Sequence, residues 1–84
     1  MDDIKGRIVR VKAGREKNSW MVVLHRDEKY LYLADGKERK LEKPKKKNIK
    51  HISITADRID LKEISNKKLK SVLREYADAR TEED

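Results

Sequence analysis

The densest chemistry in the chain lies between Lys37 and Lys50. Eight basic side chains (Lys37, Arg39, Lys40, Lys43, Lys45, Lys46, Lys47 and Lys50) share this stretch with two carboxylates, Glu38 and Glu42, and His51 follows directly. Cations at this density suit phosphates, because each neutralised phosphate releases condensed counterions. Pro44 keeps the run extended and limits its collapse into a helix. A lysine run can also be a plain solvated face that deters aggregation at a sheet edge. The regional charge balance favours phosphate contact. From Met1 to His51 there are 16 Lys or Arg against 8 Asp or Glu, a net +8. From Ile52 to Asp84 there are 7 against 8, a net −1. The excess of this +7 chain therefore sits wholly in its first part, which points to a polyanionic partner: nucleic acid or an acidic membrane surface.

A second anion-binding candidate precedes it. Lys12, Arg15 and Lys17 flank Gly14 in the polar stretch from Ala13 to Ser19. A glycine bend lets backbone N–H groups approach an anion, and arginine grips phosphate with two donors. The other reading of this stretch is an ordinary polar hairpin loop. The aromatic residues are Trp20, Tyr30, Tyr32 and Tyr76. An exposed ring can stack on an unpaired base, yet a chain without Phe also needs its large rings for burial. Trp20 and Tyr76 are expected in the core. Tyr30 and Tyr32 share one face of a strand and Leu31 and Leu33 the other, so the tyrosines are the stacking candidates if the leucines are buried.

Other chemistries find little footing. There is no Cys, so no disulfide, thiolate nucleophile or thiolate metal site. His25 and His51 have no metal-ligand spacing, and no metal or cofactor is expected. No nucleophile elbow, Walker-type loop or zinc-protease motif occurs. Asp27 and Glu28 are paired carboxylates in a charged turn, with no apolar pocket implied to raise a pKa. The expectation is a binding protein, not an enzyme. The apolar run Trp20–Leu24 is too short to span a bilayer, and Met1-Asp2-Asp3 resembles neither a secretory signal nor a myristoylation site. A cytoplasmic monomer without membrane association is expected.

These side chains need elements to position them. Ile8, Val9 and Val11 mark one strand, Trp20–Leu24 a second and Tyr30–Ala34 a third. Asn18 joins Gly14 as a residue tolerant of positive φ in the loop between the first two. Arg26 to Lys29 reads as a charged turn. Asp35-Gly36 predicts a type I′ hairpin into a fourth strand, Lys37–Leu41, ended by Pro44. His51–Thr55 is the fifth, with Ile52 and Ile54 on one face. Five short strands with tight turns suggest a small barrel, which closes its own edges. Leu69, Val72, Leu73, Tyr76 and Ala77 then recur at helical spacing, predicting a helix from Asn66 to Arg80 capped by Ser65 or Asn66. Glu82-Glu83-Asp84 sit badly at the negative end of that helix, so a frayed tail is expected. Residues 1–56 thus form the barrel, and 57–84 a linker, helix and tail of the same domain.

Gly6-Arg7-Ile8-Val9-Arg10-Val11-Lys12-Ala13-Gly14-Arg15-Glu16-Lys17 resembles the start of a KOW motif, in which a short strand enters a loop with a near-obligatory glycine, here Gly14. Ala34-Asp35-Gly36-Lys37, Arg39-Lys40, Glu42-Lys43-Pro44-Lys45-Lys46-Lys47 and Ile49-Lys50-His51 are similar to the same region of small bacterial KOW-domain proteins, themselves similar to KOW-bearing large-subunit ribosomal proteins. The resemblance runs from Gly6 to His51 and departs at Asn18, where similar sequences often carry Gly; Asn also adopts the left-handed region. It implies a mainly β fold, an SH3-like barrel with one C-terminal helix, and RNA as partner. Structured ribosomal RNA, with ribosomal proteins nearby, fits best, read through shape and backbone charge. The rival expectation is a protein-interaction module of the transcription or translation machinery, presenting Leu69, Val72 and Tyr76 to a partner. Burial of that stripe within the monomer discriminates the two.

Overall fold

The computed structural model describes residues 4–80; Met1-Asp2-Asp3 and the expected frayed tail, Glu82-Glu83-Asp84, lie outside the described residues. Five antiparallel strands form one sheet: β1 (Arg7–Val11), β2 (Trp20–Asp27), β3 (Tyr30–Ala34), β4 (Lys45–Asn48) and β5 (Ile52–Arg58). Helix α1 (Asn66–Arg80) follows. The spatial order is β4-β3-β2-β1-β5, so β4 and β5 are the two edges and the sheet is not closed. Only a 3-10 turn, Ile49–His51, joins these opposite edges. A sheet whose two edges are one turn apart in sequence must curl strongly.

The curl explains why Trp20–Leu24 is apolar without alternation: both faces of the sheet are covered. Val9, Val11, Met21, Val23, Leu31, Leu33 and Ile52, with Ile4, fill the inner face. Ile8, Val22 and Ala34 face outward against Leu69 and Leu73 of α1. Half-buried Trp20, Leu24, Leu41, Ile59, Leu61, Ile64 and Tyr76 complete this second layer. Of the helix stripe, Leu69 and Leu73 are therefore covered by the chain's own sheet and Tyr76 is half-buried there, while Val72 is half-exposed outside both clusters. Ser65 caps the helix, its Oγ accepting from the Lys68 N–H at 3.1 Å. Asn66 does other work: its Oδ1 accepts from Leu41 N–H at 2.8 Å and its Nδ2 donates to Glu42 at 3.0 Å, tying the β3–β4 loop to the helix start.

Three sequence expectations need correction. Lys37–Leu41 is not a strand; the fourth strand is Lys45–Asn48, after Pro44. The reason lies in Asp35. A type I′ turn needs positive φ at both central residues, but only Gly36 has it, at +80°. Instead Asp35 Oδ1 accepts from the N–H groups of Lys37 (2.9 Å) and Arg39 (2.8 Å), donors a ladder would have required. The second strand also runs on to Asp27, so the turn narrows to Glu28 and Lys29, with Glu28 at φ 51°. The fifth begins at Ile52, since His51 belongs to the 3-10 turn, and it ends at Arg58. There Ile52 is buried whereas Ile54, on the open edge strand, is 41% exposed. Among the described residues no helix is long and apolar enough to cross a membrane.

Candidate nucleic-acid interface

The loop between β1 and β2 is built around two left-handed residues, Gly14 at φ +91° and Asn18 at +74°. Both positions expected to tolerate this conformation use it. The bends fold the loop back so that Asn18 N–H reaches Val11 O at 2.7 Å and Lys17 N–H reaches Gly14 O at 3.1 Å. Lys12, Arg15 and Lys17 are exposed on it. Lys12 N–H donates to His51 O at 2.8 Å, which sets this loop beside the 3-10 turn carrying Lys50 and half-buried His51.

Glu16 is the carboxylate that joins this loop to the lysine strand. Arg39 donates to its Oε2 from Nη2 at 2.6 Å and from Nε at 3.1 Å. Lys47 Nζ lies 4.0 Å from its Oε1. The Glu16 side chain is only 13% exposed. Hydrogen bonding from Arg39 holds its carboxyl below the ordinary value; burial opposes this, and the charges of Arg39 and Lys45 assist. Lys47 also sits over Gly14, where an added Cβ would come within 2.5 Å of its Nζ. Edge strand β4 thus lays Lys45 and Lys47, paired with Leu33 and Leu31, toward the Gly14 loop.

The outer side of β4 carries the alternate residue. Lys46 is exposed, its Nζ 4.5 Å from the centroid of the Tyr30 ring. Next to it Tyr32 lies 5.5 Å from the His25 ring, tilted by 37°. Leu31 and Leu33 are fully buried, so both tyrosines face outward, half-exposed and flanked by cationic or imidazole groups. Trp20 and Tyr76 are half-buried in the outer layer and meet edge-to-face at 5.1 Å. Burial, then the hydrogen bond donated to Asp57 at 2.6 Å, pushes the Tyr76 phenol upward. Guanidiniums of Arg10 and Arg80 lie 5.4 and 5.5 Å from the Trp20 ring.

Not every expected residue joins the cluster. Lys40 and Lys43 share their surface with Glu38 and Glu42, around a cavity of about 340 Å³, so their field is partly offset. Lys37 points the other way, toward a groove beside α1. Sequence reading passed over Glu16, although it is the one acid inside an otherwise basic loop. It also passed over Gly36 as a packing residue: an added Cβ there would overlap the Asn66 carbonyl and approach Lys70 N to 2.9 Å. Among the described residues no group of three or more His, Cys, Asp or Glu is placed to hold a metal ion. No protein-family model matches the chain, and neither does any curated protein.

Proposed function

We propose that this chain is an RNA-binding protein of the KOW type, with an SH3-like barrel, that it associates with structured ribosomal RNA, and that it acts by binding and not by catalysis. The observation that carries this reading is the apposition of the Gly14 loop and strand β4. Two segments far apart in sequence bring the loop that carries Lys12, Arg15 and Lys17 against Lys45 and Lys47 of β4, with Lys46 on the other side of the strand over Tyr30. Phosphates reward such convergence, and the half-exposed Tyr30 and Tyr32 add ring faces for unpaired bases. The strong curl of the sheet, with a 3-10 turn joining its two edges, supports the barrel assignment. Against the rival docking module stand Leu69, which is buried on the sheet with Leu73, and Tyr76, which is half-buried there; of the stripe that module would present, Val72 is the residue left half-exposed outside the core.

Ultraviolet crosslinking of the protein to RNA in its native cell, followed by peptide mapping and sequencing of the RNA, tests the proposal. Crosslinks are expected on peptides containing Tyr30, Tyr32 and the Gly14 loop, with ribosomal RNA attached. Recovery of protein partners with no RNA-linked peptide would contradict it and favour the docking module.

A further inference from the structure

Helix α1 belongs to the half of the chain with net charge −1, yet its basic residues are not evenly spread. Lys70 and Arg74, four residues apart, share one helix face with Leu73 between them, and that face borders a groove of about 430 Å³. Lys37 also lines the groove, with Asn18 and Ser19 from the end of the Gly14 loop and the ring of Trp20. Lys37, Lys70 and Arg74 are exposed, and no side-chain ion pair holds any of them among the described residues. The carboxylate in the groove wall is Asp35, whose Oδ1 is already occupied by two backbone N–H groups. The groove therefore has three cations against one engaged carboxylate, and an apolar floor of Trp20 and Leu73.

Its position is fixed by Gly36. Because that residue has no Cβ, the Asp35-Gly36 turn lies directly against the helix backbone at Asn66 and Lys70. The close approach brings Lys70 and Arg74 into one groove with Lys37, and Asn18 and Ser19 in its lining join it to the end of the Gly14 loop.

We infer that this groove is a second phosphate-binding site, taking the backbone of an RNA strand that runs on from the Gly14 loop toward helix α1. The inference rests on the RNA reading above and extends it to a part of the chain whose net charge hides it. Charge complementarity selects the occupant: a polyanion is attracted by three cations, whereas an acidic or apolar peptide would leave the Gly14 loop and β4 unused.

Trp20 is the single tryptophan and lines the groove, so its fluorescence reports occupancy. The full chain is titrated with poly(U) RNA while Trp20 fluorescence and the anisotropy of labelled RNA are both followed. Lys70→Gln with Arg74→Gln is compared with Lys62→Gln and Lys68→Gln, which removes the same charge outside the groove. The groove pair should abolish the Trp20 response and make the plot of log affinity against log salt shallower by about 1.4, the equivalent of two phosphates on a single strand. The control pair should retain the Trp20 response and most of the slope. Equal effects from both pairs, or wild-type binding with no Trp20 change, would overturn the groove while leaving the RNA reading intact. Absence of wild-type binding to poly(U) would overturn the groove, and absence of binding to a structured ribosomal RNA fragment as well would overturn both.

Discussion

Arg39 and Glu16, 23 positions apart, meet through two hydrogen bonds to a single carboxylate oxygen, at 2.6 and 3.1 Å. The contact fastens the loop after β3 to the loop after β1. It adds a side-chain link to the backbone bonds that already place the two segments, Lys12 N–H to His51 O and the pairing of β4 with β3. The same pairing withdraws one strong phosphate ligand, Arg39, from free solution.

Glu16→Gln should accordingly separate stability from binding. A half-buried, doubly bonded carboxylate contributes about 1 kcal/mol, and chemical denaturation should show a decrease of that order. RNA affinity should be maintained or rise, since Arg39 and Lys47 are released. The pH dependence follows from the direction of the shift. The folded carboxyl titrates below its ordinary value of 4.5, so its stabilisation is complete above that value and is lost as pH falls through the lower folded value. Glu16→Gln should flatten the acid limb of the stability profile, and a limb unchanged by the substitution would show that other carboxylates govern it.

Gly36 and Gly14 both adopt positive φ, and their substitutions should differ. Gly14→Ala carries the conformational cost of roughly 1–2 kcal/mol and meets only the flexible end of Lys47. Gly36→Ala carries that cost and also drives a methyl into the backbone of α1. Thermal melts should rank Gly36→Ala well below Gly14→Ala; an equal ranking would mean that the helix gives way freely.

Leu69 and Leu73 are buried against Ile8, Val22 and Ala34. Leu73→Ala should destabilise the domain by roughly 2–4 kcal/mol, and truncation after Ser65 should leave a poorly folded sheet. RNA affinity of Leu73→Ala, measured well below its melting temperature, should barely move. A truncated sheet that stays folded would return the helix to the docking reading.

Tyr30 and Tyr32 test base stacking. Replacing either by Ala should weaken binding to a loop-containing RNA by about 1–3 kcal/mol, with a smaller effect on a fully paired duplex. An equal effect on both RNAs would assign the tyrosines to supporting Lys46 and His25.

Much of this fold was legible because its signals are local. The first three strands, apart from the extension of the second to Asp27, the helix from Asn66 to Arg80 and the left-handed residues Gly14 and Asn18 follow from β-propensity, helical spacing and permissive backbones. The orientation of Leu31 and Leu33 inward, with Tyr30 and Tyr32 outward, follows from strand alternation. The fourth strand was misplaced because Asp35 acts through its side chain: a dipeptide that reads as a hairpin turn instead captures the amides of Lys37 and Arg39. Lys45–Asn48 has no apolar alternation to announce it, since an edge strand can carry lysines on both faces. The Glu16–Arg39 pair and the Gly36–helix contact join distant segments, and no periodicity reports a meeting of that kind.

The lysine strand is the part of the surface on which the proposed function depends, and its salt dependence tests it most directly. Lys45, Lys46 and Lys47 are changed together to Gln, and affinity for a structured ribosomal RNA fragment is measured across a salt series. The substitution breaks the 4.0 Å ion pair of Lys47 with Glu16 but leaves the shorter Arg39–Glu16 pair in place, so the melting temperature should shift little. Affinity should fall, and the slope of log affinity against log salt should flatten by about 0.7–0.9 for each phosphate that these lysines neutralise in the wild type. Unchanged affinity and slope would contradict the proposal, leaving these lysines as a solvated guard on an open sheet edge.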